Sequence, residues 1–293
     1  MIAFRRILCP VDFSEGSRHA LDHAVALARW YGGTVAAVHV VHPIPYADPL
    51  MAGAIIFTPE DLDRTRQDLV QFVRDETGTT PIDTAVVQGD AAQTILKWAG
   101  DPPADLIVMG THGRRGFERL ILGSVTERVL RKASCPVLTV PPRAADAVPV
   151  GPVVFARILC AVDFSPASLK ALAYAASLAS ETNSSLTVMH AVEPVPIFEP
   201  VVAGGVGSVN YEEIATMAMR ERLHEAAPRS QFVHEVVVIG KPYRAILQQA
   251  QEDHSDLIVI GAHGGLADRV SFFGSTTNHI VREAACPVLS LRA

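Results

Sequence analysis

The chain carries one segment twice. Residues 4–29 read FRRILCPVDFSEGSRHALDHAVALAR and residues 155–180 read FARILCAVDFSPASLKALAYAASLAS, identical at 15 of 26 positions without a gap. The offset of 151 residues then persists: Cys9 matches Cys160, Asp12 matches Asp163, His39 matches His190, Gly89 matches Gly240, Gly110 matches Gly261, Gly123 matches Gly274 and Cys135 matches Cys286. A constant offset of this length means two copies of one domain with almost no net insertion, and 293 residues suit two domains of ordinary size. The expected limits are 1–142 and 153–293. The Pro- and Ala-rich linker, 143–152, is too short to hold the copies apart, so the domains should touch.

Each copy alternates strand and helix. In the first, 6–11 is a continuous apolar run of the kind buried in a parallel sheet, and 34–41, 84–88, 106–109 and 137–140 are the further strands. Ser14 is placed to cap a helix whose buried face is Leu21, Ala24, Val25 and Ala28. Helices are also expected over 59–77, 91–99 and 124–133. In the second copy Ser165-Pro166 supplies a cap followed by proline at the first helical position. This alternation predicts an α/β fold: two Rossmann-like, doubly wound domains with parallel strands and helices on both faces.

Composition narrows the function classes. A net charge of −6 and a pI near 6.0 provide no electrostatic footprint for nucleic acid or an anionic membrane. No apolar run approaches the roughly 18 residues of a membrane helix. Asp12 interrupts the first apolar stretch before a secretion signal could form, and four cysteines are too few for a disulfide scaffold. A cytoplasmic protein is expected, with neither nucleic acid nor membrane as partner.

The chemistry-bearing motif follows the fourth strand: Gly110-Thr111-His112-Gly113, nine residues, then Gly123-Ser124 opening a helix. The second copy has Gly261-Ala262-His263-Gly264, nine residues, then Gly274-Ser275. Glycine lets the backbone take positive φ and bring amides close to an anion. The start of the following helix adds free N–H groups and the positive end of its dipole, and the Ser124 hydroxyl can donate as well. Asp12 and Asp163 end the first strand of each copy, where a doubly wound sheet opens its ligand crevice. Each carboxylate either accepts from a ribose hydroxyl or adenine amine, or caps the next helix; the spacing leaves both open. His112 and His263 are read as local hydrogen-bonding groups rather than catalysts. The apolar loops 46–57 and 195–208 either cover a ligand or pack between domains.

Together these motifs carry a resemblance. The ILCPVDFS and ILCAVDFS openings, the VHV and MHA ends of strand two, the glycine pattern and the closing CPVLTV and CPVLSL resemble the universal stress protein family, in both halves of the chain. The resemblance implies five-stranded sheets of order 3-2-1-4-5, with the switch point between strands one and four. It also implies ATP as ligand, with Mg²⁺ accompanying the triphosphate. Carried onto this sequence, Pro10 and Asp12 lie beside the adenosine and Val40 offers a backbone contact to adenine. Gly110, Thr111, His112, Gly113, Arg114, Arg115 and Gly116 wrap ribose and phosphates, while Gly123, Ser124 and Val125 hold the phosphate tail. Arg119 adds positive charge nearby. The second site would use Asp163, Ala191, Gly261, Gly264, Gly274, Ser275 and Thr276.

The second copy departs from the pattern. Ala161 replaces Pro10, Gly265 replaces Arg114, Leu266 replaces Arg115 and Asp268 replaces Phe117, with Arg269 as a compensating cation. An acidic group near a triphosphate is repulsive unless a metal bridges it, so weaker ATP binding is expected there. In the implied strand order, strands one and five are not neighbours, so a Cys9–Cys135 disulfide is not expected. The cysteines are read as small buried hydrophobes. Neither C-x-x-C nor H-E-x-x-H occurs, and a G-x-x-x-x-G-K-[S/T] phosphate loop is absent. The expected function is therefore an ATP-binding stress or regulatory protein, with no catalytic residues assigned and at most slow ATP hydrolysis. Its nucleotide state would tune domain packing or the binding of a protein partner. A paired-domain interaction protein indifferent to nucleotide, or a slow ATPase, are the alternatives. The copies should pack as an internal dimer through their last strands, 137–140 and 288–291, and a homodimer of the whole chain is expected.

Overall fold

The structure is a computed structural model, described here for residues 2–42, 58–74, 80–111, 122–142, 155–194, 211–262 and 274–292. The first copy comprises β1 (Arg6–Pro10), α1 (Glu15–Tyr31), β2 (Thr34–Val41), α2 (Pro59–Arg74), β3 (Ile82–Gln88), α3 (Ala91–Gly100), β4 (Leu106–Gly110), α4 (Ser124–Lys132) and β5 (Val137–Val140). The second comprises β6 (Arg157–Ala161), α5 (Pro166–Thr182), β7 (Ser185–Val192), α6 (Tyr211–Ala226), β8 (Val233–Ile239), α7 (Pro242–Glu252), β9 (Leu257–Gly261), α8 (Ser275–Glu283) and β10 (Val288–Leu291). Every strand of the second copy starts and ends 151 residues after its counterpart.

The strands join into one ten-stranded sheet of order β3-β2-β1-β4-β5-β10-β9-β6-β7-β8. Each half is parallel and has the 3-2-1-4-5 order. The halves meet where β5 and β10 pair antiparallel, with Thr139 opposite Val288, Leu138 opposite Leu289 and Val137 opposite Ser290.

Local chemistry explains the elements. Ile7, Leu8 and Cys9 in β1 are fully buried, since a strand in the middle of a doubly wound sheet is covered on both faces. Ser14 caps α1 by accepting from the Ser17 amide, and Ser165 caps α5 by accepting from Ser168, each at 3.2 Å, with Pro166 opening α5. Alternation along the strands divides the core. Ile7, Cys9, Val35 and Ala37 face α1 and α2 in one apolar cluster, while Leu8, Val38 and Ile107 face α3 and α4 in the other.

Both clusters run through both copies, so the halves share their core. Polar ties cross the junction as well. Glu181 at the end of α5 accepts from the Tyr31 hydroxyl at 2.8 Å and the Ile2 amide at 3.0 Å. Arg292 donates to the Arg131 carbonyl at 2.9 Å. The four cysteines are free thiols; Cys9, Cys160 and Cys286 are buried and Cys135 is half-buried. With β4 between β1 and β5, Cys9 and Cys135 stand on strands that do not touch. Among the described residues, no helix is long and apolar enough to cross a membrane.

Candidate functional site

In the first copy, β1 leads to α1 on one face of the sheet and its neighbour β4 leads to α4 on the other. The chain ends leaving these strands must therefore diverge, and the crevice between them is the switch point of the fold. Pro10 closes β1 and Asp12 follows it. Val40 lies near the carboxyl end of β2, Gly110 closes β4, and Thr111 follows. Gly123 is the N-cap of α4, with exposed Ser124 and half-buried Val125 as its first helical residues. Eight of the thirteen expected first-site residues thus gather at the carboxyl ends of three adjacent strands. The other five, His112, Gly113, Arg114, Arg115 and Gly116, lie outside the described residues, as does Arg119.

The start of α4 is tied down from below. Gly123 donates to the Thr111 carbonyl at 2.9 Å, and the Thr126 hydroxyl donates to the Gly110 carbonyl at 3.0 Å. The first intrahelical bond runs from the Glu127 amide to Gly123, and no side chain at the N-cap position bonds the first turn. The amides of Ser124, Val125 and Thr126 therefore precede the helix's own bonding pattern and present the positive end of the dipole.

The described glycines of the motif are held by packing and hydrogen bonds of their own. Gly110 has no positive φ; a Cβ there would lie 2.9 Å from the Gly16 carbonyl carbon, because β4 ends against the first turn of α1. Gly261 meets the Ser168 amide nitrogen at 2.8 Å in the same way. Gly123 and Gly274 are at φ −58° and −56°, and their amides are already bonded, to Thr111 and Ala262. Gly110 and Gly261 thus permit close packing of helix against strand, and the amides that precede the bonding pattern of α4 come one to three residues after Gly123.

Asp12 Oδ1 accepts from the Ser14 amide at 3.0 Å and also from the Ser14 hydroxyl. Helix capping and ligand contact are therefore not exclusive for this half-buried carboxylate. Asp163, exposed, accepts from the Ser165 amide at 3.0 Å.

The second crevice repeats the first. Ala191 occupies the Val40 position in β7, Gly261 closes β9, Gly274 caps α8, and Ser275 and Thr276 open it. The Thr277 hydroxyl donates to the Gly261 carbonyl at 2.9 Å. Gly264 lies outside the described residues, together with His263, Gly265, Leu266, Asp268 and Arg269, so the substitutions expected to weaken the second phosphate loop are outside too. The loops 46–57 and 195–208 are likewise outside. Within the described residues the site positions differ by Ala161 for Pro10, Ala191 for Val40, Ala262 for Thr111 and Thr276 for Val125.

Two features escaped the sequence reading. His39 and His190 each donate from Nδ1 to a main-chain carbonyl at 2.7 Å, those of Val11 and Val162. Phe13 and Phe164 sit in the left-handed region at φ 63° and 62°. Their only sequence signal was recurrence at the 151-residue offset.

A model of the universal stress protein family matches residues 3–141 and again residues 155–292. The universal stress protein MJ0531 of Methanocaldococcus jannaschii is 37% identical over 139 residues, covering 47% of this chain and 82% of that protein. A universal stress protein of Mycolicibacterium smegmatis is 27% identical over 299 residues, covering 98% of this chain and 96% of its own. The crystal structure of a universal stress protein from Archaeoglobus fulgidus superposes with a TM-score of 0.68 over 99% of this chain and 98% of that one, at 21% identity, a likeness of fold. With the family matched in each half and relatives spanning both, the chain belongs to the universal stress protein family and carries two of its domains in tandem.

Proposed function

We propose that the chain is an ATP-binding stress-response protein whose nucleotide state alters domain packing or partner binding. The observation that carries this reading is the uncapped first turn of α4 at the switch point. Its Ser124, Val125 and Thr126 amides open the helix that follows β4, and the half-buried carboxylate Asp12 follows the neighbouring strand β1. Helix amides and dipole suit phosphates, and a carboxylate at the end of β1 suits ribose hydroxyls or an adenine amine. Pro10, Val40, Gly110 and Thr111 would complete the wall, and residues 112–116 would wrap the ribose and phosphates.

Mg²⁺ would arrive with the triphosphate and neutralise charge between its oxygens. Mg²⁺ of this kind is commonly held by substrate phosphates and water together with one or two protein groups. The second crevice would bind more weakly, because Gly265, Leu266 and Asp268 replace two arginines and a phenylalanine. A cytoplasmic location and a homodimer of the whole chain belong to the same reading.

The test is extraction of nucleotide from freshly purified protein, followed by calorimetric titration with MgATP. Bound adenine nucleotide, or saturable heat, is expected. Protein that carries none and gives no heat is a paired scaffold, and the reading fails. Titrating Gly113→Ala and Gly264→Ala variants separately addresses the asymmetry: the first should lose most of the binding, and equal losses would overturn it. Turnover above about one per second would instead make the chain an ATPase.

A further inference from the structure

The crevice aspartate is held in place by a device that works through the peptide preceding it. Register between β1 and β4 covers Ile7 and Leu8, so beyond Pro10 the chain leaves that neighbour. Val11 keeps a bond to β2, from its amide to the Val38 carbonyl at 2.9 Å. Its own carbonyl belongs to the peptide that enters Asp12, and it accepts from His39 Nδ1 at 2.7 Å. A carbonyl can only accept, so Nδ1 carries the proton. The chain then turns through Phe13 at φ 63°, an unfavourable conformation for a bulky residue. The Phe13 ring rests on the His39 ring, 4.6 Å between centroids, and meets Phe72 edge-on at 5.5 Å. Immediately beyond, the Ser14 amide bonds Asp12 Oδ1.

The second copy repeats each part. The Val162 amide bonds the Met189 carbonyl at 2.8 Å, His190 Nδ1 donates to Val162 at 2.7 Å, and Phe164 turns at φ 62° with its ring 5.0 Å from His190. Around the clasp the packing differs. Arg18 stacks on Phe72 in the first copy, whereas Arg222 stacks directly on Phe164 in the second. Histidine, carbonyl and turn keep their geometry while their surroundings change.

We propose that His39 and His190 are positioning residues of the two crevices. Each pins the peptide that carries the aspartate, supports the left-handed phenylalanine after it, and so aims the carboxylates of Asp12 and Asp163 at a bound nucleotide. The inference rests on the nucleotide reading for its ligand. Its structural half, that the histidines order the turn, is separately measurable.

The experiment compares the whole chain with three paired variants: His39→Ala/His190→Ala, His39→Asn/His190→Asn and His39→Gln/His190→Gln. Asparagine places an N–H where Nδ1 stands; glutamine places it where Nε2 stands. MgATP affinity is read by calorimetry, and the Ser14 and Ser165 amides by hydrogen exchange. The alanine pair should bind about tenfold more weakly, the loss of one hydrogen bond's worth of ordering, and exchange faster at both amides. The asparagine pair should recover both properties and the glutamine pair neither. In an Asp12→Asn/Asp163→Asn background the alanine changes should weaken binding no further, which a general loss of stability would not reproduce. Unchanged affinity and unchanged Ser14 and Ser165 protection in the alanine pair would overturn the proposal, as would recovery by glutamine but not asparagine. If the alanine pair loses protection everywhere, the asparagine and glutamine pairs decide. If the parent chain ignores nucleotide, the functional reading falls, while exchange still decides whether the histidines order the turn.

Discussion

Leu138 and Leu289 stand opposite each other in the antiparallel β5–β10 pair, and each is the other's counterpart at the 151-residue offset. The neighbouring pairs follow suit: Thr139 faces Val288, the equivalent of Val137, and Val137 faces Ser290, the equivalent of Thr139. The approximate two-fold axis relating the copies therefore passes through this leucine pair. An interface of this isologous kind is the usual one between identical subunits, here formed within a single chain.

Both leucines are almost fully buried, at 1% and 2% exposure. Leu138→Ala and Leu289→Ala should each destabilise the chain by about 2–5 kcal/mol. Because the residues touch the same space, the double variant should lose less than the sum. Urea unfolding of the four proteins measures this; strict additivity would mean the two residues do not share a packing site.

Gly110→Ala should act on stability before it acts on any ligand. The added methyl would press on the Gly16 backbone, which cannot swing aside as a long side chain can. A loss of about 1–3 kcal/mol is expected, and Gly261→Ala should behave alike against the Ser168 backbone. Thermal melts without nucleotide provide the check: unaltered melting would mean α1 and β4 are less tightly apposed than they stand here.

His23 carries a pH dependence. Its ring is 1% exposed, and burial holds its pKa below the ordinary 6.5. The Nδ1 contact to the His19 carbonyl at 2.9 Å opposes this shift, and the neighbouring His19 adds to it. Near pH 6.5 the unfolded chain takes up a proton that the folded chain refuses. The contribution is thus intact above that pH and is lost as pH falls from there toward the depressed folded value. Unfolding free energy should slope downward below pH 6.5, and His23→Gln should flatten that part of the slope. Identical pH profiles for parent and variant would show that the buried ring does not control it.

The cysteines should be sluggish. Burial pushes Cys135 up to about 11 and Cys286 up to about 12, and pushes Cys9 and Cys160 further still. At neutral pH all four are thiols rather than thiolates, so alkylation of the folded chain should be slow. Cys135, half-buried, should react first. A mass-spectrometric time course shows the order, and fast modification of Cys9 or Cys160 would contradict the packing of β1 and β6.

Legibility followed burial. Strands 34–41 and 137–140 were readable to the residue, since a strand covered on both faces is predominantly apolar along its length. The edge strand β3 begins at Ile82, two residues before its expected start, because the exposed Asp83 interrupts the apolar pattern between Ile82 and the rest of the strand. Helix α2 is described to Arg74, short of the expected end at 77, and residues 75–79 lie outside. At the crevice, positions along the chain were legible and reasons were not. Gly110 looked like an anion loop glycine; that its neighbour is the first turn of α1 is a fact of three-dimensional packing. His39 read only as a repeated residue in the VHV end of strand two, because its partner carbonyl is 28 positions away.

The short β5–β10 ribbon has a further consequence. Thr111, where the first glycine segment begins, donates to the Val140 carbonyl, and Ala262, where the second begins, donates to the Leu291 carbonyl. Val140 and Leu291 close strands that run in opposite directions, so the two segments are moored at opposite ends of one ribbon about 13 Å long. A one-residue slip would turn that ribbon's side chains to the wrong faces of a core both copies share, so the distance between the moorings is fixed. The two crevices open on opposite rims of the sheet, beyond the reach of one small molecule, yet neither can shift its footing without moving the other's.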